Sequence, residues 1–200
     1  MPRGHVMPRE RVTPRARVTQ RPADCVLETE RLWLCRIDAE RDFDRFAETH
    51  ADEDTVRYIG GKVLDRAQAW RMMATVVGHW QLRGYGFFSC IRKDGGDHIG
   101  RIGPWYPEGW PAPEVGWTLH PDFQGRGYAR EAGRASIDHV FRDLGWERVV
   151  HVIQHGNTAS AGLATRLGSR HIGELDGIPG VSDEPCWLFG QTRAEWAQRG

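Results

Sequence analysis

The sequence is poor in cysteine, carries no excess charge and lacks any long apolar run. Its four cysteines fall at 25, 35, 90 and 186. That spacing suits neither a disulfide framework nor a metal cluster. Free thiols imply a reducing compartment, so a cytoplasmic protein is expected. No stretch of about 18 apolar residues exists to cross a membrane. No apolar signal-peptide segment is present either, so secretion by that route is not expected. Lys plus Arg and Asp plus Glu both number 27, for a net charge of zero with neutral histidine. Global charge therefore argues for neither nucleic acid nor an anionic membrane as a partner. No group of His, Cys and carboxylate residues has metal-ligand spacing, and no metal is expected. No internal repeat is visible.

What remains suits one globular unit with a sizeable core, for a chain of 200 residues. The charge is uneven along it. The first 23 residues hold six arginines and one glutamate among several prolines. Residues 1–24 lack hydrophobic periodicity and read as a flexible basic extension, with the single domain spanning 25–200. A solvated tail or a start placed upstream of the true one accounts for it; contact with a ribosome or nucleic acid is the alternative.

Residues 27–37 predict a strand, with Leu32 and Leu34 turned to a core. Asp38 is an N-cap for a helix that buries Phe43, Phe46 and Ala47. Residues 52–61 read as irregular. Asp65 starts a second helix, whose face is Ala69, Met72, Met73, Val76, Val77 and Trp80, and Gly84 ends it. Residues 85–92 and 98–102 read as strands joined by Asp94-Gly95-Gly96-Asp97, a hairpin signal. The loop 103–113 is rich in proline and aromatics, and Trp105, Tyr106 and Trp110 are read as lining the substrate side, with aromatic packing on the sheet face as the alternative. Beyond 145, strands at 148–154, 171–175 and 185–191 flank a short helix at 158–167, which Asn157 caps and Gly168 closes. Alternating strands and helices predict an α/β or α+β fold on a mixed sheet.

The informative stretch is Pro113 to Glu131, PEVGWTLHPDFQGRGYARE. Val115, Trp117 and Leu119 alternate with smaller or polar residues, a strand signal that Pro121 breaks. Ala129, Ala132, Ile137, Val140, Phe141 and Leu144 then recur at helical spacing. Between them lies Gln124-Gly125-Arg126-Gly127-Tyr128-Ala129. Glycines there allow positive φ and close approach of a ligand. A helix N-terminus offers unpaired N–H groups and partial positive charge to a phosphate.

Gln124 to Ala129 resembles the Q/R-x-x-G-x-G/A loop of the GNAT superfamily of acyl-CoA-dependent N-acetyltransferases. EVGWTLHPDFQ is similar to that superfamily's fourth strand. Asn157-Thr158-Ala159-Ser160, with Leu163 and Leu167-Gly168, resembles the N-x-x-S segment of its ribosomal-protein-alanine N-acetyltransferase (RimJ/RimL-like) branch, and LETERLWLCRID resembles that branch's opening. The likeness runs from about Leu27 to Gly190. It implies a mixed, mostly antiparallel sheet of about 6–7 strands, helices on both faces and a splayed strand pair forming the acyl-CoA cleft.

The resemblance also implies roles. Gln124, Gly125, Arg126, Gly127, Tyr128 and Ala129 would hold the diphosphate of acetyl-CoA. Main chain at Trp117, Thr118 and Leu119 would pair with the pantetheine arm, and an N–H near Leu119 would polarise the thioester oxygen. The side chains of Trp117 and Leu119 are expected to be core. Asn157 would bond the pantetheine, and Ser160 would meet the sulfur. Glu114 would accept the amine's proton through a water. Against these stand plainer readings: Asn157 as a helix cap, and Glu114 as an exposed strand-end carboxylate. His120 is a second candidate base, Asp183 and Glu184 candidate binders of a cation, and His151 and His155 structural. The expected activity is direct acetyl transfer to a primary amine, a protein N-terminus or a small molecule. The alternative is a noncatalytic acyl-CoA-binding or regulatory module. Oligomeric state stays open, a homodimer included.

Overall fold

The protein is described here by a computed structural model covering residues 20–178 and 182–199. Most of the basic extension, residues 1–19, lies outside the described residues. Eight strands form one sheet: β1 Cys25–Glu28, β2 Leu32–Cys35, β3 Phe88–Arg92, β4 His98–Trp105, β5 Glu114–Leu119, β6 Arg148–Gln154, β7 Arg170–Leu175 and β8 Cys186–Thr192. Their order is β1-β2-β3-β4-β5-β6-β8-β7. Every neighbouring pair is antiparallel except β5 and β6, which run parallel and share the single pair Glu114↔Val150.

The stretch 27–37 is therefore not one strand. It turns at Thr29–Arg31, where Thr29 N–H donates to Leu32 O at 2.9 Å. The extra hairpin strand brings the sheet to eight. Periodicity alone did not reveal the turn, because its residues Thr-Glu-Arg lack glycine and proline.

Helices follow their caps. Asp38 accepts from Arg41 N–H and starts α1, Ala39–Ala51. The supposedly irregular segment contains one short helix, α2, Glu53–Val56, capped by Asp52. Asp65 and Gln68 form a reciprocal capping box at the start of α3, Arg66–Arg83, and Gly84 ends it with φ 76°. Along α3 the buried residues are Ala69, Met73, Val76 and His79. Val77, expected on the core face, is 42% exposed. Then come α4, Tyr128–Arg142, α5, Thr158–Arg166, and α6, Arg193–Ala197.

Helices α1 and α4 cover opposite faces. On one face Leu32, Leu34, Phe88, Cys90 and Ile102 form a cluster with Tyr128 and Ala132 of α4. Val115, Val149, Ile137, Val140 and Leu163 continue it under α4 and α5. Each fully buried Leu, Ile, Val or Phe among them contributes about 1.5–3 kcal/mol. On the other face Ser89 Oγ meets His98 Nδ1 at 2.8 Å, and His98 lies 3.7 Å from Asp42 of α1. Asp42 is fully buried and is held by both Arg41 Nε and Nη2, at 2.7 and 2.9 Å. The sheet thus presents a packed spine with one interruption, where β5 and β6 part.

Candidate active site

The parting of β5 and β6 follows from how the amides face. His120 N–H donates to Ile99 O at 2.9 Å, on the β4 side. Strand amides alternate in direction, so Trp117 and Leu119 present theirs to the β6 side. Pro113 O accepts there from Val150 N–H at 2.9 Å. Beyond Val150 the pairing stops. The edge of β5 at Trp117 and Leu119 is left open. Thr118 faces the other way: it pairs with Arg101, and its carbonyl lies 2.2 Å from where a Cβ of Gly100 would sit.

His151 spans the parting. Its Nδ1 meets Val115 O at 2.6 Å and its Nε2 meets Ser169 Oγ at 2.9 Å. Gln191 Nε2 donates to the same Ser169 Oγ at 3.0 Å. The carbonyl requires a proton on Nδ1, so Nε2 accepts from the serine. Burial holds this imidazole neutral, with its pKa down at about 4. Trp117 packs against the His151 ring at 4.7 Å and donates its indole N–H to Ser160 Oγ at 3.2 Å. The Trp117 side chain, expected to be core alone, packs on both core clusters and also reaches Ser160. Asn157 caps α5, its Oδ1 accepting from Ser160 N–H at 3.1 Å.

The bend after β5 joins a 3₁₀ turn, Pro121–Phe123, to α4. Gly125 and Gly127 adopt φ of 72° and 81°, where a Cβ is strained. The first α4 amide with a carbonyl partner is that of Glu131, on Gly127 O at 3.1 Å. Among the described residues, the N–H groups from Gly125 to Arg130 find none. Gln124 folds back, donating Nε2 to Leu119 O at 3.1 Å. Arg126 lies exposed over Phe123, whereas Tyr128 is buried and Ala129 half-buried against the core.

A residue of the β1–β2 turn braces this bend. Arg31 donates Nε to Glu131 Oε2 at 2.6 Å and Nη1 to Arg126 O at 3.1 Å, and it covers the Tyr128 ring at 4.4 Å. Thr29 Oγ1 and Arg31 N–H also donate to Glu131 Oε1, at 2.6 and 2.7 Å. Partial burial works to raise the Glu131 pKa, but the Thr29 and Arg31 bonds outweigh it and hold the carboxylate low.

On the opposite face, Glu114 stands at the apex of the parting. It is 6% exposed, not an open strand-end carboxylate. Oε1 accepts from Val152 N–H at 3.1 Å and Oε2 from Trp110 Nε1 at 2.7 Å. Burial pushes its pKa up to about 7 against the pull of Val152, Trp110 and Arg101. Arg101 is 7% exposed, and its guanidinium covers the Phe87 ring at 4.5 Å. Phe87 stacks on Trp105 at 5.0 Å, and Trp105 on His79 at 4.4 Å. Burial lowers the Arg101 pKa to about 10.

Glu114, Trp117, Leu119, Asn157 and Ser160 thus gather around the parting, and 124–129 form the adjoining bend. His120 is set apart, its ring among Arg45, Glu48 and Asp122. Asp183 and Glu184 are exposed in the β7–β8 loop. His155 lies beside Trp187. Arg31, Arg101 and the Trp110 indole also belong to the site, beyond the residues the sequence marks. For Trp110 a signal existed, an indole four residues before an acid in a turn; for the arginines none did.

The bend has what a diphosphate requires: free amides, a helix N-terminus and a Cβ-free approach, with nothing within 4 Å of the missing Cβ of Gly125. Among the described residues no group of His, Cys, Asp and Glu could hold a metal ion. None of the described helices is long and apolar enough to cross a membrane.

Known proteins share this arrangement of sequence and fold. YnaD of Bacillus subtilis (strain 168), an uncharacterised N-acetyltransferase, is 26% identical over 147 residues, covering 74% of this chain and 84% of that one. A crystal structure of an acetyltransferase from Agrobacterium tumefaciens str. C58 matches with a TM-score of 0.71 at 27% identity, over 84% of this chain and 94% of that one. RimL, a ribosomal L7/L12 alpha-N-protein acetyltransferase solved in complex with coenzyme A, matches with a TM-score of 0.67 over 82% and 95% of the two chains. At 16% identity that last likeness is one of fold alone. A family model described as an acetyltransferase (GNAT) domain matches residues 31–170. It takes in the brace at Arg31, the glycine bend, the parted strands and α5 together, and by that match the chain is a member of the GNAT acetyltransferase family, an acyltransferase.

Proposed function

We propose that this acyltransferase moves an acetyl group from acetyl-CoA directly to a primary amine, with Glu114 as general base and Ser160 beside the departing sulfur. When bound, acetyl-CoA supplies the thioester that the amine attacks. The amides of Gly125 to Arg130 bind its diphosphate. Trp117 and Leu119 offer edge amides to the pantetheine, as an added strand would use them. Of that pair the Leu119 N–H is assigned the polarisation of the thioester oxygen. Thr118 turns its main chain to β4, which leaves its neighbours to do this work.

The observation that carries the reading is Glu114. It is a buried carboxylate at the point where the sheet opens, with a pKa raised to about 7. A base titrating near neutrality is matched to taking a proton from an amine at physiological pH. An α-amino group, with pKa about 7.7–8.0, lies nearer that value than a lysine-type amine at about 10.4. The acceptor is a primary amine, of a protein N-terminus or a small molecule. Ser160 accepts from Trp117, so its own hydrogen is left to bond the sulfur. A thiolate of pKa about 8.5 takes its proton readily from water, and the serine orients more than it donates.

Thiol release from acetyl-CoA, followed with a panel of α-amines and alkyl amines, tests the assignment. Turnover that Glu114→Gln removes supports it. Turnover unchanged in that variant moves the base elsewhere, and binding without turnover of any amine argues for the noncatalytic module.

A further inference from the structure

Helices α4 and α5 enclose a second feature. A cavity of about 200 Å³ is lined by Arg130, Arg134, Asp138, Arg166 and Arg199, with Trp196 as its wall. Arg130, Arg134 and Asp138 recur every four residues and form one stripe along α4. The single acid, Asp138, accepts from Trp196 Nε1 at 2.7 Å, so four arginines share the groove with one carboxylate. Arg130, Arg166 and Arg199 have no side-chain hydrogen bond or ion pair among the described residues, and all are exposed. Arg130, Arg166 and Arg199 bring more positive charge to the groove than its one acid offsets, and like charges repel by an amount that solvent and salt only partly screen. An anion between them removes that repulsion.

Two glycines let these side chains converge. At Gly162 a Cβ would come within 3.2 Å of Arg166 Nη1, so Arg166 lies back along α5 toward its N-terminus. At Gly168 a Cβ would come within 2.6 Å of Arg199 Nη1. The groove begins beside the bend. Arg130 is the third residue of α4, whose first amides face the proposed diphosphate site. A helix rises 1.5 Å per residue, so Arg130 and Arg134 stand about 3 and about 9 Å along it from Tyr128.

We infer that this arginine groove is a second phosphate site, and that it receives the 3′-phosphate of coenzyme A. The inference rests on the proposed coenzyme site. Its chemistry is separate, because the 3′-phosphate is a monoester on the ribose, outside the diphosphate and remote from the thioester. A dianion there is matched to guanidinium donors, which form paired hydrogen bonds to phosphate oxygens.

The test is calorimetric titration of the full chain with acetyl-CoA and with its 3′-dephospho analogue, in the wild type and in Arg166→Gln and Arg199→Gln, which both lie outside the diphosphate bend. The wild type should bind acetyl-CoA about tenfold or more tightly than the analogue, the size expected of a charge-assisted hydrogen bond. That preference should shrink in each variant, while affinity for the analogue stays unchanged, which also shows that the variants fold. Added salt should weaken the preference. Equal wild-type affinities overturn the inference and leave the coenzyme site standing, as does a preference that both variants retain. Absence of binding by both ligands overturns the coenzyme site, and this inference with it.

Discussion

The indole N–H of Trp110 donates to Glu114 Oε2 at 2.7 Å, so the aromatic loop holds the carboxylate at the mouth of the parted sheet. Val152 N–H holds the other oxygen from across the parting, at 3.1 Å. Glu114 therefore ties the loop just before β5 to β6, 38 residues further along the chain, and its burial follows from that junction. A carboxylate so placed favours its neutral form by desolvation and its charged form by the two donors. Desolvation wins, and the balance lies near neutral pH.

Glu114→Gln should reduce kcat/KM by about 10²–10⁴, the usual contribution of a general base. The wild-type rate should rise with pH through about 7, where the carboxylate ionises. The variant should lose that limb. A pH series of initial rates with an α-amine acceptor measures both.

Trp110→Phe and Arg101→Met each remove an interaction that favours the charged carboxylate. Both should move the rising limb to higher pH, by about one unit for the lost hydrogen bond. A limb displaced to lower pH in either variant would contradict the assignment of that limb to Glu114.

Gly127→Glu should abolish acetyl-CoA binding in calorimetry. The new carboxylate would enter the space facing the free amides and repel phosphate. Gly127→Ala separates that effect from backbone strain. Its added Cβ meets nothing nearer than Arg31 Nη2 at 3.4 Å, so it carries mainly the positive-φ strain of about 1–2 kcal/mol. It should lower the melting temperature and leave binding measurable.

Asn157→Ala should remove the cap on α5 and, with it, the proposed pantetheine contact. The lost cap costs about 1 kcal/mol of stability, and the lost contact about 1–2 kcal/mol of binding. Asn157→Asp keeps an oxygen for Ser160 N–H but no amide hydrogen. It should retain stability in urea denaturation while acetyl-CoA affinity falls.

Burial holds His50, His98 and His151 neutral in the fold, each with a pKa of about 4 against an ordinary 6.5. Their folded pKa is depressed, so the unfolded chain binds more protons between those values. Stability should be constant in their terms above about pH 7 and fall as pH drops from 6.5 through 4, by up to about 3 kcal/mol per site. Glu114 acts oppositely. Its raised pKa makes its contribution greatest below about 4.5 and lost as pH rises through 7. Three sites against one should give a net loss on acidification, read from urea midpoints across that range. Glu114→Gln should steepen that loss.

Local chemistry marked most elements. Asp38, Asp65 and Asn157 announced helix starts because a short acceptor two or three residues from free amides acts without distant help. Gly84 and the Gly95-Gly96 turn were readable because only glycine takes positive φ at low cost. The turn at Thr29–Arg31 escaped notice, since its stabilising partner, Glu131, lies 100 residues along the chain from Arg31. In the aromatic loop, Trp105 packs on Phe87 and His79 and Trp110 supports the Glu114 carboxylate, contacts that the order of residues does not display.

By itself the sequence determined the strand–bend–helix at 114–142 and the open amides of its glycine bend, because backbone geometry and helix polarity are local properties. Only tertiary structure decided that Glu114 is buried, that His151 and Trp117 cross the parted strands to Val115 and Ser160, and that Arg31 braces the bend. Those facts depend on desolvation and on contacts between segments far apart in the chain. Neither leaves a periodic trace in the order of residues.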